Sequence, residues 1–190
     1  MEIENLVVEL SNDPFNAEKN FKTAVEYERI NQTASAVSFY LRAVEYGNPE
    51  DKIFVYTSLL KMARCFNDQS GREHSVTNAL LQAICVWPER TEAYFLLSQY
   101  YERAQTWQEA YTWACAGLSI DDRKDVNLEP LPTDVGYPGT YGFHFEKAVT
   151  GWWIGRPNES RYLFRHLLND FDMTPEYINS CLNNVKIIGA

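Results

Sequence analysis

The stretch Thr91–Gly117, TEAYFLLSQYYERAQTWQEAYTWACAG, decides the fold. Tyr94, Leu97, Ser98 and Tyr101 recur at helical spacing, so they share one face of a helix. Ala110, Ala114 and Gly117 share a face of a second helix, and all three are small. Small residues let two helix axes approach, and large ones a turn away fill the space between them. The stretch therefore reads as two helices packed closely across a short turn.

The same pattern recurs upstream. From Ala17 to Asn48, a first helix carries Ala24 and Tyr27 and a second carries Ala36, Tyr40 and Ala43. Asn31–Gln32–Thr33 supplies the turn and Gly47 the stop. The intervening unit departs. Ala63 and Phe66 sit four residues later than the position set by Pro49. This predicts one extra helical turn over Glu50–Phe66, then a loop Asn67–Arg72 and a second helix ending at Trp87–Pro88. Ahead of all three units, Ile3, Leu6, Val7 and Leu10 recur at helical spacing, as a lone second helix that closes the stack. Pro14, Pro49 and Pro88 stand 35 and 39 residues apart. That interval and the small–aromatic–small series resemble tetratricopeptide repeats, whose units are about 34 residues long.

After Ile120 the pattern breaks. Asp125–Gly142 holds Pro130, Pro132, Pro138, Gly136, Gly139 and Gly142, which predicts a non-helical connection. Helices are predicted again over Tyr141–Ile154, over Asn158–Leu168 with Asn158 as N-cap, and from Thr174–Pro175 to about Val185. No segment alternates with period two, so no sheet is expected. The expectation is an all-α, antiparallel helix-pair solenoid of about ten helices. It forms one domain over 1–190, with repeat-like units in 1–124, a Pro/Gly-rich connection in 125–142 and C-terminal helices in 143–190.

Composition narrows the partners. The formal net charge of −9, with no run of Lys or Arg, disfavours nucleic acid. No apolar stretch approaches the roughly 20 residues of a membrane span, and Met1–Glu2–Ile3–Glu4 is acidic where a secretory signal is basic. Cys65, Cys85, Cys115 and Cys181 are widely spaced on helices and read as buried free thiols of a cytoplasmic protein. His74, His144 and His166 are scattered too, so no metal site and no cofactor are expected. Asp170–Phe171–Asp172 has the letters of a metal-binding DxD, but it follows a helix rather than a strand and reads as a helix-to-turn segment.

A longer resemblance concerns function. Arg42–Gly47, Glu50, Phe54–Tyr56 and Ala63–Cys65, then Trp87–Ala93 and Leu97–Tyr101, then Glu146–Ala148, Trp152–Gly155 and Glu159–Ser160 resemble a helical region found beside family 2 glycosyltransferase domains. The resemblance spans residues 17–170. It implies a non-catalytic module that holds a protein or peptide partner, with a transferase domain as one such partner. The α/β domain that performs transfer in that family has no counterpart here, so no catalytic residue carries over.

In tetratricopeptide stacks the first helix of each unit lines the groove. The groove register then selects Phe21, Val25 and Glu28 in the first unit, Leu60 and Arg64 in the second, and Phe95, Gln99, Glu102 and Arg103 in the third. Mixed aromatic, amide and guanidinium groups suit an extended peptide. Trp152 and Trp153 diverge by about 100° on a helix. One ring is expected on the connection and the other on the repeats, and an exposed ring could stack on a sugar.

Overall fold

The computed structural model describes residues 3–69, 71–122 and 128–189. Among these residues there are ten α-helices and no strand. In chain order they are α1 (Ile3–Asn12), α2 (Ala17–Arg29), α3 (Thr33–Tyr46), α4 (Lys52–Asn67), α5 (Glu73–Val86), α6 (Glu92–Arg103), α7 (Trp107–Asp121), α8 (Thr140–Trp153), α9 (Pro157–Asp170) and α10 (Pro175–Ile188). The helices pack as the pairs α2–α3, α4–α5, α6–α7 and α8–α9, with α1 against α2 and α10 against α9. The chain divides into two compact units: the described residues up to Pro88 with Leu128–Val135, and those from Glu89 with Gly136 onward.

Three of the four pairs are joined by the same turn. Asn31, Gln105 and Gly155 each adopt a left-handed backbone, with φ of 59°, 59° and 81°. The next residue then donates its N–H five residues back: Gln32 to Tyr27 O at 2.8 Å, Thr106 to Tyr101 O at 3.0 Å, and Arg156 to Gly151 O at 2.8 Å. This closure satisfies carbonyls that a helix end leaves open. Among the described residues the α4–α5 pair shows no such bond, and its helices stand further apart in sequence, from Asn67 to Glu73.

In the first unit, Asn16 caps α2 by accepting from Lys19 N at 2.9 Å. The buried Asn20 side chain donates to Pro14 O and Asn16 O, at 3.0 and 2.8 Å, and ties down the preceding turn. Phe21, Ala24, Ala36, Tyr40, Ala43, Met62 and Cys65 form the core between α2, α3 and α4. Helix α4 has 16 residues against 13 in α2 and 12 in α6, which is the extra turn read from the sequence. It starts at Lys52, because Pro49–Asp51 forms a separate 3-10 turn closed by Asn48 and Asp51.

In the second unit, the close approach predicted for α6 and α7 is present. Ala110 and Ala114 are fully buried, and Ser98 Oγ donates to Ala110 O at 2.9 Å across the pair. The α8–α9 pair repeats the bond with its ends exchanged, Ser160 Oγ donating to Ala148 O at 2.7 Å. Gly117 lies against the Phe143 ring with no room for a Cβ.

Several expectations need correction. The non-helical connection ends at Gly139. Gly142 belongs to α8, where a side chain would strike Pro138 and Phe95. Asn158 lies inside α9; Arg156 is the N-cap position and Pro157 the first helical residue, which its missing N–H suits. Cys85 is exposed and Cys115 half-buried, so only Cys65 and Cys181 are core thiols. Residues 123–127, which include the start of the connection, lie outside the described residues.

Candidate functional site

The groove positions divide by burial. Phe21, Leu60 and Phe95 are buried, so their side chains fill the core and offer no surface to a ligand. Helix packing explains this: a first helix is covered by its own partner and by the helix before or after it, and bulky residues at those seams are sealed. Val25 is half-buried against the first unit's core. Gln99 and Glu102 are half-buried, and Arg64 and Arg103 are exposed.

Glu28 has a different task from the one its position suggested. Tyr40 Oη donates to its Oε2 at 2.6 Å, and Lys61 Nζ lies 2.8 Å from its Oε1. Lys61 is buried and Glu28 partly exposed, so this is a half-buried ion pair that, with Tyr40, joins α2, α3 and α4. Burial, with Glu28 beside it, holds the Tyr40 phenol well above its ordinary pKa. Arg64, near Tyr40 and Cys65, points outward from α4 and remains available.

The second unit brings together a group that groove spacing alone identified only in part. Glu146 on α8 is 3% exposed, and its Oε2 has no hydrogen-bond partner. Burial first, and the charge of Glu102 second, push its carboxyl up to about 8, against a smaller opposing effect from Arg103. Glu102 on α6 is also raised by desolvation, with Arg103 lowering it. Burial holds the Tyr177 phenol on α10 up, and Glu146 and Tyr141 add to this. Tyr177 packs edge-on against Tyr141 at 5.1 Å and Phe145 at 5.2 Å. The first helices α6, α8 and α10 thus gather two carboxyls of high proton affinity, one guanidinium and three rings. Glu146 was not selected from the sequence. Its signal was an acid on the buried stripe Phe143–Glu146–Thr150, where helical spacing calls for an apolar residue.

Other singled-out residues have clear positions. Trp152 is half-buried against the α8–α9–α10 core, with the Arg161 guanidinium 5.4 Å from its ring. Trp153 is 61% exposed and stacks on Trp107 at 5.2 Å with 14° between planes. Trp153 therefore meets the repeats as expected. The aromatic packed on Phe95 and Phe143 from the connection is Tyr137, not Trp152. His144 and His166, distant in sequence, lie 5.5 Å apart around Phe171. Burial lowers the His144 imidazole, and His166 adds to this. Asp170 is bound to His166 Nδ1 at 2.7 Å, so the first acid of the DxD letters terminates α9. No group of three metal-ligating side chains occurs among the described residues. No helix there is long and apolar enough to cross a membrane.

No protein-family model matches the chain, and no curated protein matches it. Solved structures do. The structure of MamA superposes with a TM-score of 0.62 at 18% identity, covering 87% of this chain and 84% of that one. YrrB, described as "a TPR protein with an unusual peptide-binding site", gives 0.61 at 16% identity over 97% and 81%. BtubC from P. vanneervenii gives 0.67 at 13% identity over 98% and 78%. At these identities the likeness is one of fold: the chain has the tetratricopeptide-like helix-pair solenoid architecture, and no glycosyltransferase enters among these similarities.

Proposed function

We propose that this chain is a non-catalytic binding module whose first helices take an extended segment of a partner protein, read in the second unit at Gln99, Glu102, Arg103 and Glu146. The observation that carries the reading is Glu146: a buried carboxyl with an unpartnered oxygen, close enough to the half-buried Glu102 to feel its charge. A buried polar atom without a partner costs about 1–3 kcal/mol, so a fold retains one where something else gains from it. A peptide laid along α6 and α8 would meet opposite charges at Glu102 and Arg103, an amide at Gln99 and the rings of Tyr141 and Tyr177. Peptide capture by YrrB, on the same architecture, makes this ligand class the natural one.

The test is a random peptide array probed with the native chain and with Glu102→Gln, Arg103→Ala and Arg64→Ala, each checked by circular dichroism. Peptides should be retained, and the two α6 variants should lose at least about tenfold in affinity, as expected when a central polar contact is removed. Retention of the same peptides by every variant, or of none by the native chain, would reject the reading.

A narrower form attaches the module to glycan synthesis, as the holder of a family 2 transferase domain. The sequence resemblance over residues 17–170 and the exposed Trp153 ring favour it. On this reading the chain alone binds no sugar nucleotide in calorimetry with manganese. Micromolar binding lost in an Asp170→Asn, Asp172→Asn double variant would replace the scaffold with a metal-dependent site. Co-purification of the chain with a separately expressed transferase domain tests the partner directly.

A further inference from the structure

The surroundings of Glu146 bear on the chemistry of the partner segment, on the basis of the peptide-binding reading above. They lie on α6, α8 and α10, all within the second compact unit. An acid buried on a helix face ordinarily has a cation or hydrogen-bond donors around it. Glu146 is 3% exposed, and its Oε2 has no hydrogen-bond partner. Its neighbours leave it uncompensated. Lys147, the next residue on α8, pairs instead with Glu159 at 2.9 Å. Arg103 on α6 is exposed, and its pull on Glu146 is smaller than the push of the adjoining Glu102.

The remaining surroundings are aromatic. Tyr177 of α10, whose phenol feels the Glu146 charge, packs edge-on against Tyr141 and Phe145, which precede Glu146 on α8. All three rings are half-buried, so each keeps part of its surface toward solvent. Ring faces attract cations, and the apolar stem of a lysine or arginine packs on such rings while its charged end reaches further. An acidic segment would be repelled by both carboxyls. A neutral donor would satisfy Oε2 and leave the two acids opposed. A cation does both tasks at once, and the net charge of −9 draws basic segments toward the chain.

We infer that Glu146 and Glu102 together take one cationic side chain of the partner segment, a lysine or arginine whose stem lies on the rings of Tyr141, Phe145 and Tyr177 and whose charge meets Oε2 of Glu146. Binding then moves a proton. In the free protein the Glu146 carboxyl, raised to about 8, is largely protonated at pH 7. An adjacent cation favours the carboxylate, so the O–H proton leaves to the buffer as the segment enters. Affinity therefore rises with pH through about 8 and levels off above it. Glu102, raised by desolvation, works in the same direction, and the Tyr177 phenol, held up by burial, keeps its proton throughout.

The peptides retained on the random array supply the probes. Lysine and arginine should be enriched among them, and resynthesis with norleucine for lysine or citrulline for arginine should cost at least about tenfold in affinity. Titration calorimetry of a retained peptide should show affinity rising at least about fivefold from pH 7 to pH 8.5. Its heats at pH 7, compared in buffers of different ionisation enthalpy, should report about one proton released. Glu146→Gln, folded by circular dichroism, should lose at least about tenfold in affinity at pH 8.5 and most of the proton release. Retained peptides without basic enrichment, an affinity that is level or falls as pH rises, or a Glu146→Gln chain with native affinity and proton release would each overturn the inference and leave peptide binding standing. An array that retains nothing would overturn both.

Discussion

Replacing Glu146 with Gln keeps the shape of the side chain and removes its ionisation. The native carboxyl is raised to about 8, far above its ordinary range, because the folded state disfavours its charge. Its stabilising effect is therefore complete below about pH 4.5, the range of an unfolded Glu, and is lost as pH rises through about 8. Glu146→Gln should match the native chain near pH 4.5 and exceed it by up to a few kcal/mol at pH 8, as read from urea midpoints at the two pH values. An equal difference at both would place the carboxyl outside the buried site. Lys61 offers the opposite case. Lys61→Ala strands Glu28 with only Tyr40, and should destabilise by about 2 kcal/mol, below the range for a fully buried pair because Glu28 is partly exposed. The exposed Arg64→Ala should change stability by less than about 0.5 kcal/mol. Spacing found the positions of Glu28, Arg64, Glu102 and Arg103 but not their roles. Whether a helical residue faces solvent or a neighbouring chain segment depends on long-range packing, and Lys61 lies 33 residues beyond Glu28.

At the scale of elements, the sequence spoke most clearly where two backbones touch. Ala110, Ala114 and Gly117 had to be small, and the structure gives the reasons: the Ser98 bond to Ala110 O and the Phe143 ring against Gly117. Ala110→Leu should destabilise by about 1–3 kcal/mol by overpacking this seam. Gly117→Ala should also destabilise, despite the better helix propensity of Ala, since the added methyl overlaps Phe143 unless α8 moves. Thermal melts compare the two with the native chain, and an unchanged midpoint in either would mean the seam is looser than it stands here. The extra turn of α4 was legible because it displaced a repeated pattern. The 3-10 turn before it and the start of α8 were not, because Pro and Gly signal a break without fixing which residue makes it. Position 142 is a glycine for a packing reason, the closeness of Pro138 and Phe95, and not because the helix breaks there.

At the scale of the whole molecule, the helix count and the absence of strands among described residues follow from repeated periodicity. The division into two compact units does not, since it depends on which segments pack together, Leu128–Val135 with the earlier helices and Gly136 onward with the later ones. The four cysteines are free, so a reducing agent should leave the melting temperature unchanged. Their placement has a further consequence. Cys65 lies in the core of the first unit and Cys181 in that of the second, and burial raises both thiols to about 11. A buried, protonated thiol is unreactive until the structure around it opens. The exposed Cys85 should label at once with a thiol reagent, while Cys65 and Cys181 should wait for the opening of their own units. Following both by mass spectrometry in mild urea times each opening separately. Identical rates would show that the halves of this chain unfold as one, and different rates would name the half that gives way first.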